Sequence, residues 1–471
     1  MQKASFGSWD SPITVDLVVA GSLGIGEIRL DGDDIYWTEM RPFEEGRNTI
    51  VRCTADGDIL DVTPKIFDVK SSVHEYGGGA FVVSDGVVYF SNYTDQRMYR
   101  QDLSGDPVPF TTPKSNMRYA DGIVDHKRDL MVCVREDHND HAEIINSIVS
   151  IDLSGMGEGD VLVSGQDFYA SPRLAPDGRQ LSWLSWNHPN MPWDGNQLWV
   201  ANIYEDGTVG ESELVAGGMN EAIFQPEWSP DGILHFISDR NGWWNLYRWS
   251  DGSVETLTSM EAEFGVAQWA LGMSTYGFAS NNRLICSYRS LGITYIASLD
   301  VATRNLEVIS TPFSDITRSG LHVDTKRVVF GAASATVPES LVVCDLSTQD
   351  TKILRRSLKL EIDPGYISEP VPIAFPTEND LTAHAFLYQP TNKDYVSNPD
   401  CLPPLIVTIH GGPTGFSSPT LDLRTQYWTS RGFALLDINY GGSTGYGTAY
   451  RRRLNGNWGI VDVSDCINAV R

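Results

Sequence analysis

The run Leu405-Ile406-Val407-Thr408-Ile409 is apolar and strand-like, and it feeds directly into His410-Gly411-Gly412-Pro413. A strand ending in His-Gly-Gly is one way a doubly wound hydrolase sheet presents a backbone N–H to the oxyanion of a tetrahedral acyl intermediate. Such chemistry also needs a nucleophile, a base and an acid, which in that design come later in the chain. Gly441-Gly442-Ser443-Thr444-Gly445 matches the Gly-x-Ser-x-Gly turn that exposes a serine nucleophile. Position and partners argue against Ser443. One strand separates it from the His-Gly-Gly strand, whereas the nucleophile turn normally follows the next one. Asp462 and Asp465 could supply an acid, but His410 is the last of 9 histidines, so none remains downstream to act as base. Ser443 is therefore read as a decoy, and no catalytic residue is assigned in this chain.

The elements around these motifs divide the chain in three: a segment 1–24, a β-rich stretch 25–360, and an α/β stretch 361–471. Over the long middle stretch, short runs rich in Val, Ile, Tyr, Trp and Phe alternate with Asp-Gly and Ser-Pro-Asp-Gly turns, and almost no amphipathic helix intervenes. Units begin near Glu27, Glu75, Arg118, Phe168, Phe224, Gly265 and Phe313, a spacing that suits four-stranded blades. The expected architecture is a seven-bladed β-propeller. In Pro176-Asp177-Gly178 and Pro230-Asp231-Gly232, proline pre-sets the turn and Asp-Gly closes it, so these are hairpin connections rather than catalytic signals.

Past Arg356, a hairpin (371–377 and 383–390) precedes the His-Gly-Gly strand, a helix from Leu423 to Ser430, a strand from Phe433 to Tyr440 and a helical pattern from Asp462 to Arg471. Strands alternating with helices predict an incomplete α/β-hydrolase sheet. A sheet halted after the Phe433–Tyr440 strand is expected to leave that strand's edge, and the apolar side of the last helix, uncovered.

Composition narrows the function class. A net charge of −26 disfavours nucleic acid and anionic membranes as partners, because a phosphate-binding face needs clustered Lys and Arg. No apolar run approaches the ~18 residues that span a bilayer, and the amino end lacks the apolar core of a signal peptide, so a cytoplasmic location is expected. The 6 cysteines stand singly and read as reduced thiols, buried rather than bridged. Asp137-His138-Asn139-Asp140-His141 superficially suggests a metal cluster, but it reads as a solvated turn; neither metal nor cofactor is expected. Trp183, Trp186, Trp243 and Trp244 read as blade packing rather than a ligand cage.

Several long motifs carry a family resemblance: Trp37-Thr38-Glu39-Met40-Arg41-Pro42, His74-Glu75-Tyr76-Gly77-Gly78, the 182–193 run, Ser238-Asp239-Arg240-Asn241-Gly242-Trp243-Trp244, His410-Gly411-Gly412-Pro413 and Asn439-Tyr440-Gly441-Gly442-Ser443. The chain resembles the acylaminoacyl-peptidase and dipeptidyl-peptidase-like branch of the prolyl oligopeptidase family, serine peptidases in which a propeller caps an α/β-hydrolase domain and admits short peptides. The resemblance implies Gly412 as an oxyanion donor. It also raises Glu75 as a carboxylate for a peptide's free amine, against its plainer reading as an anchor at a glycine-rich blade turn. The family's nucleophile, acid and histidine belong to a later segment, so these 471 residues alone are expected to be inactive. Gly441 departs from the arginine usual after Asn-Tyr. The rival reading is a non-catalytic propeller, a binding or scaffold protein with a vestigial hydrolase segment.

Overall fold

The structure, a computed structural model, describes residues 1–140, 143–360 and 362–471. Four-stranded antiparallel sheets follow one another along the chain over residues 24–61, 81–109, 117–164, 168–217, 223–256, 276–309 and 315–356, each a simple meander. The sheet starts fall close to the expected ones, except that the sixth begins at Tyr276 rather than near Gly265. Within each sheet the middle strands are the most apolar and the outermost strand the most exposed, as in Gln180–Trp186 against Val209–Gly217. The paired hairpin turns form as the Pro-Asp-Gly wording implies. Gly178 and Gly232 take positive φ, and their N–H groups donate back to the carbonyls of Ala175 and Ser229 at 2.8 Å.

Polar side chains on the innermost strands tie neighbouring sheets together. The carboxylate of Asp121 accepts the Ser171 N–H at 2.8 Å and pairs with Arg173 at 3.0 Å, and Arg173 reaches on to Glu227 at 2.8 Å. The first and last sheets meet. Ser319 Oγ donates to the Ile25 carbonyl at 2.7 Å, Arg355 binds Glu39, and Ile25, Ile28 and Trp37 share a core with Val329 and Leu341. The sheets thus close on themselves as a propeller.

The second unit is one mixed sheet in the order Pro370–Pro376, Thr382–Tyr388, Ala434–Asn439, Leu405–Ile409. Helices Leu423–Thr429 and Val461–Val470 accompany it. The start of the chain packs here rather than on the propeller: Gln2–Lys3 pairs in parallel with Tyr395–Val396, and Ile13 is buried against Tyr366 and Ile367.

One expectation is corrected by the strand order. The strand following helix Leu423–Thr429 is not an edge, because Thr382–Tyr388 and Leu405–Ile409 bond to it on either side. The chain returns past the His-Gly-Gly strand to insert between it and the hairpin. The outer strands are therefore Pro370–Pro376 and Leu405–Ile409, the latter with Leu405, Val407 and Ile409 exposed, and the last helix shows Val463, Ile467 and Val470 to solvent. The thiols also differ in one respect: all six are unpaired, four are buried, but Cys401 is exposed.

The two units are joined at a short helix, Thr448–Arg451. Arg451, 5% exposed, pairs with buried Asp239 at 2.9 Å and lies over the Trp244 ring. Truncating one member of a buried pair strands the other charge, so Arg451→Met should cost about 3–5 kcal/mol. Lys326→Ala, at an exposed pair with Asp33, should not measurably shift unfolding. Urea melts of the two variants make the comparison, and equal midpoints would contradict it. The apolar free edge predicts self-association, since unpaired strands template further pairing. Sedimentation velocity should show concentration-dependent association that Val407→Lys reduces; a parent chain that stays monomeric at every concentration would count against this.

Candidate active site

His410 and Ser443 follow strands that lie side by side, and the register sets Ile409 opposite Ile438. The two loops leaving those strands therefore run together. His410 stacks on Tyr440 with ring centroids 4.6 Å apart, and its Nε2 lies 2.7 Å from Ser443 Oγ. The Tyr440 hydroxyl donates to the His410 carbonyl at 3.3 Å, and the Thr444 N–H donates to the Gly415 carbonyl at 2.8 Å. Trp269, from the propeller, donates its indole N–H to the Thr414 carbonyl at 2.8 Å. The glycine turn is thus held from both units.

Within that turn Gly412 has φ +64°, a left-handed conformation that suits glycine, and only the Trp269 ring approaches the place of a side chain, at 3.9 Å. Among the described residues nothing accepts a hydrogen bond from the Gly412 N–H. A free, fixed backbone donor at the end of a strand is what an oxyanion site requires.

The closeness of His410 to Ser443 is what sequence order concealed. A base was sought downstream, and the histidine beside this serine lies upstream. The signal was present in the two strand ends, but only the parallel register makes it visible. The pair is nonetheless closed off. Ser443 is fully buried and also donates to the Tyr440 carbonyl at 2.8 Å. His410 Nδ1 lies 3.1 Å from the Gly411 carbonyl, with no carboxylate among the described residues to orient it, and burial lowers its pKa, which keeps the ring neutral. Gly442 supplies the positive φ of this turn, and the helix begins only at Thr448.

Gly441, the departure from the family pattern, has no room for a side chain: a Cβ would meet Val461 at 2.9 Å and Arg453 at 3.0 Å. Its N–H donates to buried Asp465 at 2.7 Å, so that acid serves the loop.

Glu75 sits at φ +62° with its side chain largely exposed, and its carboxylate is held by Arg118 at 2.8 Å. Its neighbours His74 and Tyr76 line a cavity against Trp269. Trp183 is buried within a strand and Trp244 just before one, under Arg451, whereas Trp186, also buried, contributes to that cavity wall. In the 137–141 turn, His141 lies outside the described residues, and His138 pairs with Glu136 at 2.9 Å. Among the described residues no three candidate ligands gather as a metal site.

A second serine–histidine contact was not anticipated. Ser84 Oγ is 2.7 Å from His126 Nε2, and Asp85 lies 3.6 Å from the other ring nitrogen. Ser84 ends the strand Phe81–Ser84 while Asp85 and His126 stand on exposed turns, and 3.6 Å is too long for the orienting hydrogen bond of a triad.

Comparison with known proteins gives these features a frame. A sequence model described as "Prolyl oligopeptidase family" matches residues 419–471. Dipeptidyl aminopeptidase BIII of Pseudoxanthomonas mexicana is 31% identical over 121 residues, 26% of this chain and 18% of that protein. Among solved structures, a Mycobacterium tuberculosis puromycin-hydrolyzing peptidase is 36% identical with a TM-score of 0.93, covering 100% of this chain and 74% of that one. A puromycin hydrolase is 34% identical with a TM-score of 0.91, covering 99% and 74%. The curated match thus covers a small part of that relative, and the solved chains are longer than this one. No helix among the described residues is long and apolar enough to cross a membrane. With more than a third of its residues identical over its whole length to a solved chain of the same fold, and with the family's own sequence pattern in its last strand and helices, this chain belongs to the prolyl oligopeptidase family.

Proposed function

We propose that this chain forms a seven-bladed propeller, over about residues 25–360, and the oxyanion side of a serine-type peptidase, over 361–471, acting on short peptides or similarly small amides. The observation that carries the reading is the unpartnered Gly412 N–H, fixed in a left-handed turn at a strand end and braced by Trp269 from the propeller. In the mechanism this implies, a serine hydroxyl adds to the substrate carbonyl and a histidine takes its proton. An acid orients that histidine, and the oxyanion that forms accepts from Gly412 and a second donor. Likeness to solved puromycin hydrolases supports a small substrate. Glu75 is a candidate for the substrate's amine, although Arg118 already neutralises part of its charge. Six unpaired thiols support a cytoplasmic setting.

The 471-residue chain is proposed to be inactive by itself. Ser443 is sealed beneath Tyr440 and His410, and Ser84 lacks both an oriented base and an oxyanion site. A fluorophosphonate probe, which labels activated serines, should leave the chain unmodified. A chimera continued with the remaining part of the solved Mycobacterium tuberculosis relative should be labelled. Stoichiometric labelling of the short chain that vanished in Ser443→Ala or Ser84→Ala would assign that serine as the nucleophile and overturn the reading.

The same chimera tests the donor. Gly412→Ala places a side chain at φ +64° and pulls the N–H out of line, so kcat should fall toward the ~10²-fold loss typical of one missing oxyanion donor. An unchanged kcat would remove Gly412 from the mechanism.

A further inference from the structure

The Gly411 carbonyl oxygen, 3.1 Å from His410 Nδ1, belongs to the same peptide unit as the Gly412 N–H. That unit is trans, so it is planar and points its C=O and N–H in opposite directions. Whatever holds the Gly411 oxygen therefore also aims the Gly412 N–H. A carbonyl that accepts a hydrogen bond also makes the N–H of its own unit a stronger donor. The turn closes over this contact: a Cβ on Gly415 would come within 3.1 Å of the Gly411 oxygen and 3.2 Å of Nδ1.

The imidazole has one ring proton to place, because burial lowers its pKa and keeps it neutral. With the proton on Nδ1, the ring donates to the Gly411 carbonyl and Nε2 accepts the Ser443 hydroxyl at 2.7 Å. The Tyr440 carbonyl competes for that hydroxyl proton at 2.8 Å, but it already accepts the Ser443 N–H at 2.9 Å. With the proton on Nε2, a bare Nδ1 would face the Gly411 oxygen at 3.1 Å, lone pair against lone pair. The first arrangement leaves every polar atom of the cluster paired, and it gives the buried Ser443 hydroxyl a purpose other than attack.

We propose that His410 is a positioning residue for the oxyanion donor: its Nδ1–H fixes the Gly411–Gly412 peptide plane, and the Ser443 hydroxyl holds the ring in that tautomer. The inference deepens the peptidase reading of the Gly412 turn and rests on it for its catalytic meaning, but the tautomer itself does not require catalysis.

An asparagine amide nitrogen takes the place of Nδ1 and a glutamine amide nitrogen that of Nε2, so two variants separate the donor from the ring. Both lose the stack on Tyr440. In the chimera, His410→Gln should lower kcat about 10-fold with KM little changed, whereas His410→Asn, which keeps a donor for the Gly411 oxygen, should lower it less than about 3-fold. Loss of packing alone would lower both alike. In the 471-residue chain, nitrogen NMR of labelled histidine at neutral pH should show His410 protonated at Nδ1, its signals identified by their loss in His410→Asn. Ser443→Ala should let the Nε2–H form appear. Equal kcat in the two His410 variants, or an Nε2–H ring in the parent chain, would refute the proposal, and an unchanged tautomer in Ser443→Ala would remove Ser443 from it. If the chimera failed to react with fluorophosphonate while the Nδ1–H form held, the peptidase reading and the catalytic role would fall together, and the hold on the peptide plane would stand as a structural one.

Discussion

Two buried carboxylates on the propeller hold the molecule together, and each divides its oxygens between the two units. Asp239 accepts the Ala222 N–H with one oxygen and binds Thr448 and Arg451 with the other. Glu263 accepts the Trp244 N–H with one oxygen and the Gly447 N–H with the other. Burial raises the pKa of Glu263, so its charge exists at the expense of hydration and is sustained by these donors. The grip is directional in a way that apolar contact is not. It fixes residues 447–451, and thereby the loop leading into them from Tyr440.

From that anchor the order propagates to the candidate site. Tyr440 and Ser443 clamp His410, Thr444 holds the Gly415 carbonyl, and Trp269 reaches the Thr414 carbonyl from the propeller side. Arg289 adds a second tie. It pairs with Asp315 and covers the Phe416 ring, while Ser418 donates to the other oxygen of Asp315. The glycine turn is preorganised by contacts that none of its own residues could make alone. A donor that must meet charge only in the transition state is useful when its position costs nothing at that moment.

Much of this was legible in the residues because it is local. Period-two apolar runs and Pro-Asp-Gly turns specify hairpins without outside help, and the strand 405–409 with its glycine turn could be placed from wording alone. What escaped was non-local. Strand order in the mixed sheet depends on which neighbour the chain inserts beside, and nothing in Phe433–Tyr440 says that it returns to the middle. The same register brings His410 level with Tyr440 and Ser443, so a constellation separated by 33 positions was invisible to an argument from chain order. Trp186 looked like packing because its burial is real, and only the arrangement of rings from other sheets reveals space beside it. Asp239 lay within a motif already noted, yet its role as an anchor could not be read without knowing where Arg451 falls.

The closure of the propeller places a particular demand on side chains. Each sheet draws all four strands from one contiguous stretch of chain, so the first and last sheets share no strand across their junction. That seam rests on side chains: Ser319 with the Ile25 carbonyl, Arg355 with Glu39, the exposed Lys326–Asp33 pair and a common apolar patch. Separating the two sheets there breaks no backbone ladder and leaves every strand paired within its own sheet. A ring built in this way is joined by a chain connection at every junction but this one, so its closure between residues 24–61 and 315–356 depends on these side-chain contacts alone.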